Sequence, residues 1–441
     1  MINNYLKGQG QDLWEIAKDI IPGGNMLLSK RSEMFLPKYW PSYFSRAKGC
    51  YVWDLDGRKL RDLSIMGIGT NILGYGHKEV DKAVMKNIRK GNLSTLNCPE
   101  EVFLAEKLTD IHKWAQKVRF ARAGGEANSI AIRIARAATG KDKIAICGYH
   151  GWHDWYLSTN LKNNSQLEEH LLPGLQPNGV PKGLSGTVIP FSYNNTDQIL
   201  KIIEENELAA IKMEVQRNDL PKEGFLEEIR SKCTEKGIVL IFDECTSGFR
   251  ETYGGIHKKF GIDPDIAMFG KALGNGYAIT AIIGKDNVME ATQKTFISST
   301  FWTERIGPTA ALKTLEVMER IKSWETITEK GNYIRSNWNK IANENKLKIK
   351  LKGIPALSGF DFQSSSNLKY KTFITQEMLK KGFLASNSIY VSVAHSEKIL
   401  KLYFENLNSI FEKIRLCELG RLNIDDLLYG EICHSGFKRL N

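Results

Sequence analysis

From about residue 118 the chain alternates short apolar runs with longer amphipathic stretches. Val118–Ala121, Lys143–Cys147, Thr187–Phe191, Ala209–Val215, Ile238–Phe242, Ile266–Phe269 and Ala278–Ile283 read as strands. Glu126–Ala138, closed by Gly140, and Glu227–Lys236 read as helices between them. Such alternation predicts an α/β domain on a mostly parallel seven-stranded sheet. Ligands of these sheets gather beyond the carboxyl ends of the strands. Upstream, residues 12–21 read as a short helix stopped by Pro22-Gly23-Gly24. Gly49–Leu55 and Lys59–Leu63 read as a hairpin around Asp56-Gly57, a strong turn signal between apolar runs. Past residue 310 a long helix, Thr309–Trp324, leads into a smaller α+β region. The expected division is an N-terminal segment, 1–70, that joins the small domain, a large domain, 71–310, and a C-terminal small domain, 311–441.

Composition changes this picture little. The 441 residues are 42% hydrophobic and 25% charged, too apolar for a disordered chain. The net charge of +11 is spread along the sequence, which reads as a solvated surface and not as a nucleic-acid site. The seven cysteines form no Cys-x-x-Cys pair and suit a reducing cytoplasm. Met1 to Gly10 is polar, unlike a signal peptide, and no apolar run reaches the roughly 18 residues of a membrane span.

Four segments could carry chemistry. Ile238–Glu244 is an apolar strand ending in Asp243 and Glu244; such an acid is a cap, a surface group or a ligand to something bound. Phe269–Gly276 sets Lys271 between glycines after a strand, either a turn lysine or an amine whose reactivity depends on a lowered pKa. Arg122–Asn128 carries Gly124-Gly125 between strand and helix, a simple connection or a set of helix-start amides for a phosphate. Gly148–His153 is an aromatic loop in which Tyr149 could stack on a flat ring; its two histidines give only a weak metal signal. In this order the four supply what a planar pyridine phosphate needs. The acid keeps the ring nitrogen protonated and the lysine holds the cofactor as an imine.

Taken together these segments resemble the class III aminotransferases of pyridoxal-phosphate (PLP) fold type I, and within them the glutamate-1-semialdehyde 2,1-aminomutase branch. The likeness runs from Ile21-Pro22-Gly23-Gly24 to Val393-Ala394-His395 and includes Gly49–Gly57, Gly179–Lys182 and Phe242–Arg250. It implies Lys271 as the imine lysine, Asp243 as the ring-nitrogen partner and Tyr149 as the stacking aromatic. It implies Gly124 and Gly125 as the phosphate loop, with no hydroxyl of their own, Cys245 against the other ring face, and Glu214 as an acid near the site. Thr300 matches a threonine that reaches the phosphate from a neighbouring subunit, so a homodimer with shared sites is implied. The expected reaction is ping-pong transfer from a small amino donor to an aldehyde or ketone acceptor.

The substrate side departs from the aminomutase pattern. Ile68 stands at an aromatic gate position, Asn387 at a glutamate, and Trp302–Arg305 where glycine-asparagine-proline is usual. The basic residue for a substrate carboxylate falls at Lys30 or Arg31. These departures favour transfer between two molecules, with internal isomerisation as the alternative. Thr303, Glu304 and Arg305 suggest a polar, sugar-derived acceptor. A non-catalytic regulator on the same fold is disfavoured by intact Lys271 and Asp243.

Overall fold

The computed structural model describes residues 4–163, 166, 167, 170 and 174–436. The chain divides into two units, Met1–His77 with Thr326–Asn441, and Lys78–Glu325. The helix Ile306–Ile321, expected to open the small domain, lies within the second unit. The expected single helix Thr309–Trp324 ends at Lys322, where φ of 47° breaks it; a second helix, Ser323–Glu344, follows.

The second unit holds one seven-stranded sheet among its described residues. Its strands are β1 (Lys117–Ala121), β2 (Lys143–Cys147), β3 (Val188–Pro190), β4 (Leu208–Met213), β5 (Val239–Asp243), β6 (Ile266–Phe269) and β7 (Thr280–Gly284). The spatial order is β1-β7-β6-β5-β4-β2-β3. β7 pairs antiparallel with both β1 and β6, and the remaining pairs are parallel. β4 to β7 are buried along their whole length, which is why they read as continuous apolar runs and not as alternating ones. The helix Gly124–Thr139 packs Ala127, Ile130, Ala131, Ile134 and Ala135 into a core shared with Ile144, Ile146, Ile241, Ile266 and Ile282. Because β7 alone is reversed, β1, β2, β4, β5 and β6 all deliver their carboxyl ends to one edge.

In the first unit, Phe44–Lys48, Tyr51–Asp54, Lys59–Leu63 and Phe383–Ala385 form a four-stranded sheet containing the expected hairpin. A three-stranded sheet of Ile349–Lys352, Leu357–Phe362 and Ser388–Tyr390 lies in the same unit, with the helices Asn367–Lys380 and Glu397–Glu418.

Candidate active site

Each strand end of the large sheet contributes a side chain or a bare backbone. β6 ends at Phe269, and Gly270 leads to Lys271 with φ of 40°, in the left-handed region that non-glycine residues rarely adopt. The Lys271 ammonium donates to Thr246 Oγ1 at 2.6 Å. Burial, and then the nearby Arg217 guanidinium, lower its pKa to about 8. That places a usable fraction of neutral amine near physiological pH.

β5 ends in Asp243, which is 4% exposed. Burial alone would raise its pKa, but the Lys212 ammonium and a hydrogen bond from His150 hold the carboxyl well below the usual carboxylate range. His150 Nδ1 lies 2.8 Å from Asp243 Oδ2, and the Cys245 amide donates to Oδ1 at 3.1 Å. Asp243 is therefore an ionised carboxylate whose direction is fixed from two sides.

The loop after β2 is organised by Ser129 on the helix Gly124–Thr139. Its hydroxyl lies 2.7 Å from His153 Nδ1 and accepts from Trp155 Nε1 at 3.0 Å. Tyr149 is half-buried, meets Tyr156 edge-on at 5.9 Å, and donates its amide to Glu214 Oε2 at 3.3 Å. Glu214, just beyond β4, also accepts from Arg217 at 2.8 Å. Glu214 and Arg217 line a cleft with Gly148, Tyr193 and Asp219.

Beyond β1 the helix starts at Gly124. Ala123 offers no capping oxygen; instead the Glu126 carboxylate reaches back to the amides of Arg122 and Ala123. A Cβ at Gly125 would lie 2.9 Å from the His153 ring, and one at Gly124 or Gly270 would approach Cys245 Sγ at 3.9 or 3.4 Å. Gly124 and Gly270 thus keep side chains out of the space that Cys245 borders. Close backbone approach, helix-start amides, a fixed anionic carboxylate and a desolvated amine together fit a phosphorylated pyridine aldehyde such as PLP. Asp243 would meet its ring nitrogen, Gly124 and Gly125 its phosphate, Tyr149 and Cys245 its ring, and Lys271 its aldehyde carbon.

Of the expected site residues, Lys271, Asp243, Tyr149, Gly124, Gly125, Glu214 and Cys245 stand at this one edge. Thr300, expected to act at a neighbouring subunit's site, is exposed at the start of a short helical turn, Thr300–Thr303. The reading of Thr303, Glu304 and Arg305 as sugar contacts loses its support. Glu304 pairs with Arg122 at 2.8 Å and accepts the amides of Ile306 and Gly307, while Arg305 pairs with Glu100 at 2.9 Å. These charges are committed to the start of the helix Ile306–Ile321 and its neighbours. Sequence reasoning passed over Thr246 and Lys212, and read His150 only as a weak metal signal. Lys212 could have been found as a charge inside the apolar run Ala209–Val215. Among the described residues no cluster of three His, Cys, Asp or Glu is placed to hold a metal ion. Nor is any helix among them long and apolar enough to cross a membrane.

The sequence pattern of the family described as "Aminotransferase class-III" matches residues 37–412. A 3-aminobutyryl-CoA aminotransferase from Cloacimonas acidaminovorans is 34% identical, over 83% of this chain and 87% of its own. A glutamate-1-semialdehyde 2,1-aminomutase from Methanocaldococcus jannaschii is 30% identical, over 92% of this chain and 98% of its own. Among solved structures, the FumI protein of Sphingopyxis sp. MTA144 in a PLP-bound form superposes with a TM-score of 0.84 at 24% identity, covering 95% of this chain and all of that one.

Proposed function

The chain belongs to the class III aminotransferases, a PLP-dependent family, and we propose that it moves an amino group between two separate small molecules, with Lys271 as its reactive amine. The observation that carries this reading is the convergence of the Lys271 amine, its Thr246 partner and the ionised Asp243 at one sheet edge. Bound PLP supplies an electron sink for bonds broken at the amino-bearing carbon. Asp243, anionic and fixed by His150 and the Cys245 amide, would keep a proton at the ring nitrogen. Lys271 would hold the cofactor and, with a pKa brought near physiological pH, would take and return a proton at the amino-bearing carbon. Thr246 limits where that amine can sit. Tyr149 presents an aromatic face, and Glu214 keeps Arg217 against the cleft.

Transfer between two molecules is supported over internal isomerisation by the 34% relative, an aminotransferase, and by Asn387. The Asn387 amide is buried and donates to the Phe360 carbonyl at 2.8 Å, a structural task inside the small sheet. Homodimer formation is supported by Phe296 and Phe301, which flank Thr300 and are 82% and 71% exposed. The seven unpaired cysteines support a cytoplasmic setting. The deciding experiment is a screen of amino donors and carbonyl acceptors read by cofactor absorbance, with glutamate-1-semialdehyde alone as the comparison. Net transfer needing both partners is expected. Sustained 5-aminolevulinate formation from glutamate-1-semialdehyde alone would overturn the intermolecular reading. Light scattering that shows an active monomer would overturn the dimer.

A further inference from the structure

β4 carries a lysine among apolar neighbours. Lys212 is 0% exposed and stands in register with Ile146 on β2 and Ile241 on β5. Its ammonium lies 3.6 Å from Asp243 Oδ2 and 3.4 Å from Met268 Sδ on β6. The same Oδ2 is met by His150 Nδ1, and Cys245 and Glu214 are the other ionisable groups that act on Lys212. A buried ammonium persists only when paired, and Asp243 is the carboxylate that pairs it. Yet Asp243 is also the residue that would meet the protonated ring nitrogen of PLP. One buried carboxylate would then face two cations, leaving a net positive charge where charge is least tolerated.

We propose that Lys212 is a positioning residue: it neutralises and aims Asp243 in the cofactor-free protein, and releases a proton to solvent when Asp243 takes the cofactor's protonated ring nitrogen. The proposal rests on the reading of Asp243 as ring-nitrogen partner. One N–H bond of the Lys212 ammonium breaks, its electron pair stays on the nitrogen, and the proton passes to water or buffer; nothing is oxidised. Burial already makes Lys212 a weaker base than an ordinary lysine, which eases this release. His150 is held down by burial and by Lys212 itself, so it stays neutral while Lys212 is charged.

The probe is 4′-deoxypyridoxine 5′-phosphate, which lacks the aldehyde and cannot bond to Lys271. Calorimetric titration of the cofactor-free full chain in two buffers of different ionisation enthalpy counts protons released on binding. At neutral pH the wild type is expected to release about one proton more than Lys212→Met, the single proton that one lysine can lose. Equal release from both overturns the proposal. So does release that survives in Lys212→Met but is lost in His150→Asn. Failure of the wild type to bind the probe would instead overturn the reading of the site. A second measurement needs no ligand: unfolding midpoints of Asp243→Asn and of Asp243→Asn with Lys212→Met. Asp243→Asn strands a buried ammonium, so adding Lys212→Met should restore part of the lost midpoint. A double variant less stable than Asp243→Asn alone overturns the pairing.

Discussion

Lys271 and Ile68 both hold left-handed backbone, at φ of 40° and 61°, and neither is glycine. Around Lys271 the conformation is fixed by fully buried β6 before it and by the bond to Thr246 at its tip. Ile68 lies in a turn, Met66–Gly69, in which φ is positive at all four residues. That turn is held by local bonds: Gly69 to the Ile65 carbonyl at 2.6 Å, and the Thr70 hydroxyl to the Gly67 carbonyl at 3.0 Å. Strain persists where surroundings over-determine it. At Lys271 the surroundings are a sheet, and the strained residue bears a desolvated amine. At Ile68 they are a few hydrogen bonds, and the strained side chain has no polar group to offer. The desolvated amine stands on the sheet, and the turn presents an apolar side chain.

The strongest way to break this contrast is to remove the amine. Lys271→Ala should fold, because the bond lost at the lysine tip is the one to the Thr246 hydroxyl, and should lose amino transfer by roughly 10²–10⁴-fold or more, the span usual for a positioned proton carrier. Borohydride reduction and peptide mapping of the wild type should find the cofactor on Lys271. Recovery of label on another lysine would defeat the assignment.

Asp243→Asn tests the sheet as the rigid partner. Loss of the buried charge leaves Lys212 uncompensated, so the cofactor-free protein should be less stable by about 3–5 kcal/mol, the usual result of breaking a buried pair from one side. Turnover should fall as well, since the ring nitrogen loses the group that keeps it protonated. Urea unfolding and steady-state kinetics measure the two effects. Near-normal values of either would remove Asp243 from its role.

Acid–base behaviour sharpens the comparison further. A pKa of about 8 leaves about a tenth of Lys271 neutral at pH 7, against about 0.03% for an ordinary lysine. Uptake of PLP by the cofactor-free protein should rise about tenfold per pH unit up to about pH 8 and then level off. The unfolded lysine keeps its proton to about pH 10.4, so between these values the unfolded state binds more protons. Stability therefore gains from Lys271 as pH rises from about 8 to 10.4, and its burial counts against the fold below that window. Lys271→Met should flatten that slope in denaturation measured across pH 7 to 10.5. An uptake curve that bends only near pH 10 would contradict the desolvated amine.

How far the sequence discloses the site follows from the same division. The seven strands are legible because burial on both faces makes each an unbroken apolar run. Gly124-Gly125, Tyr149, Asp243 and Lys271 are legible because each ends or follows such a run, where a mostly parallel sheet collects its strand ends, whereas Glu214 and Cys245 were reached only through the family resemblance. Thr246 was missed because a hydroxyl after two acids carries no pattern. Lys212 was missed because reading Ala209–Val215 as an apolar strand hid the charge within it. The break at Lys322 left no trace, since lysine is an ordinary helix residue and its left-handed conformation is a tertiary outcome. Glu304 and Arg305 misled because their partners, Arg122 and Glu100, are remote in sequence.

The smallest expected effect lies in the turn. A β-branched residue in left-handed backbone is disfavoured by roughly 1–2 kcal/mol through the clash of Cβ with the following carbonyl. Glycine removes that clash but enlarges the unfolded ensemble, at roughly 0.5–1 kcal/mol. Ile68 is only half-buried, so its loss empties little core. Ile68→Gly should therefore leave the protein as stable as before or more stable by up to about 1 kcal/mol, read by thermal unfolding, whereas Ile68→Val keeps the strain and should gain nothing. The same change at the sheet should match it in stability but not in activity, because Lys271→Gly removes the amine while relieving similar strain: stability held, transfer lost. If Ile68→Gly instead lowers the melting temperature by several degrees, the turn is held by packing of the isoleucine and not merely by its local hydrogen bonds. The two left-handed sites would then be alike in rigidity, and the contrast between them would fail.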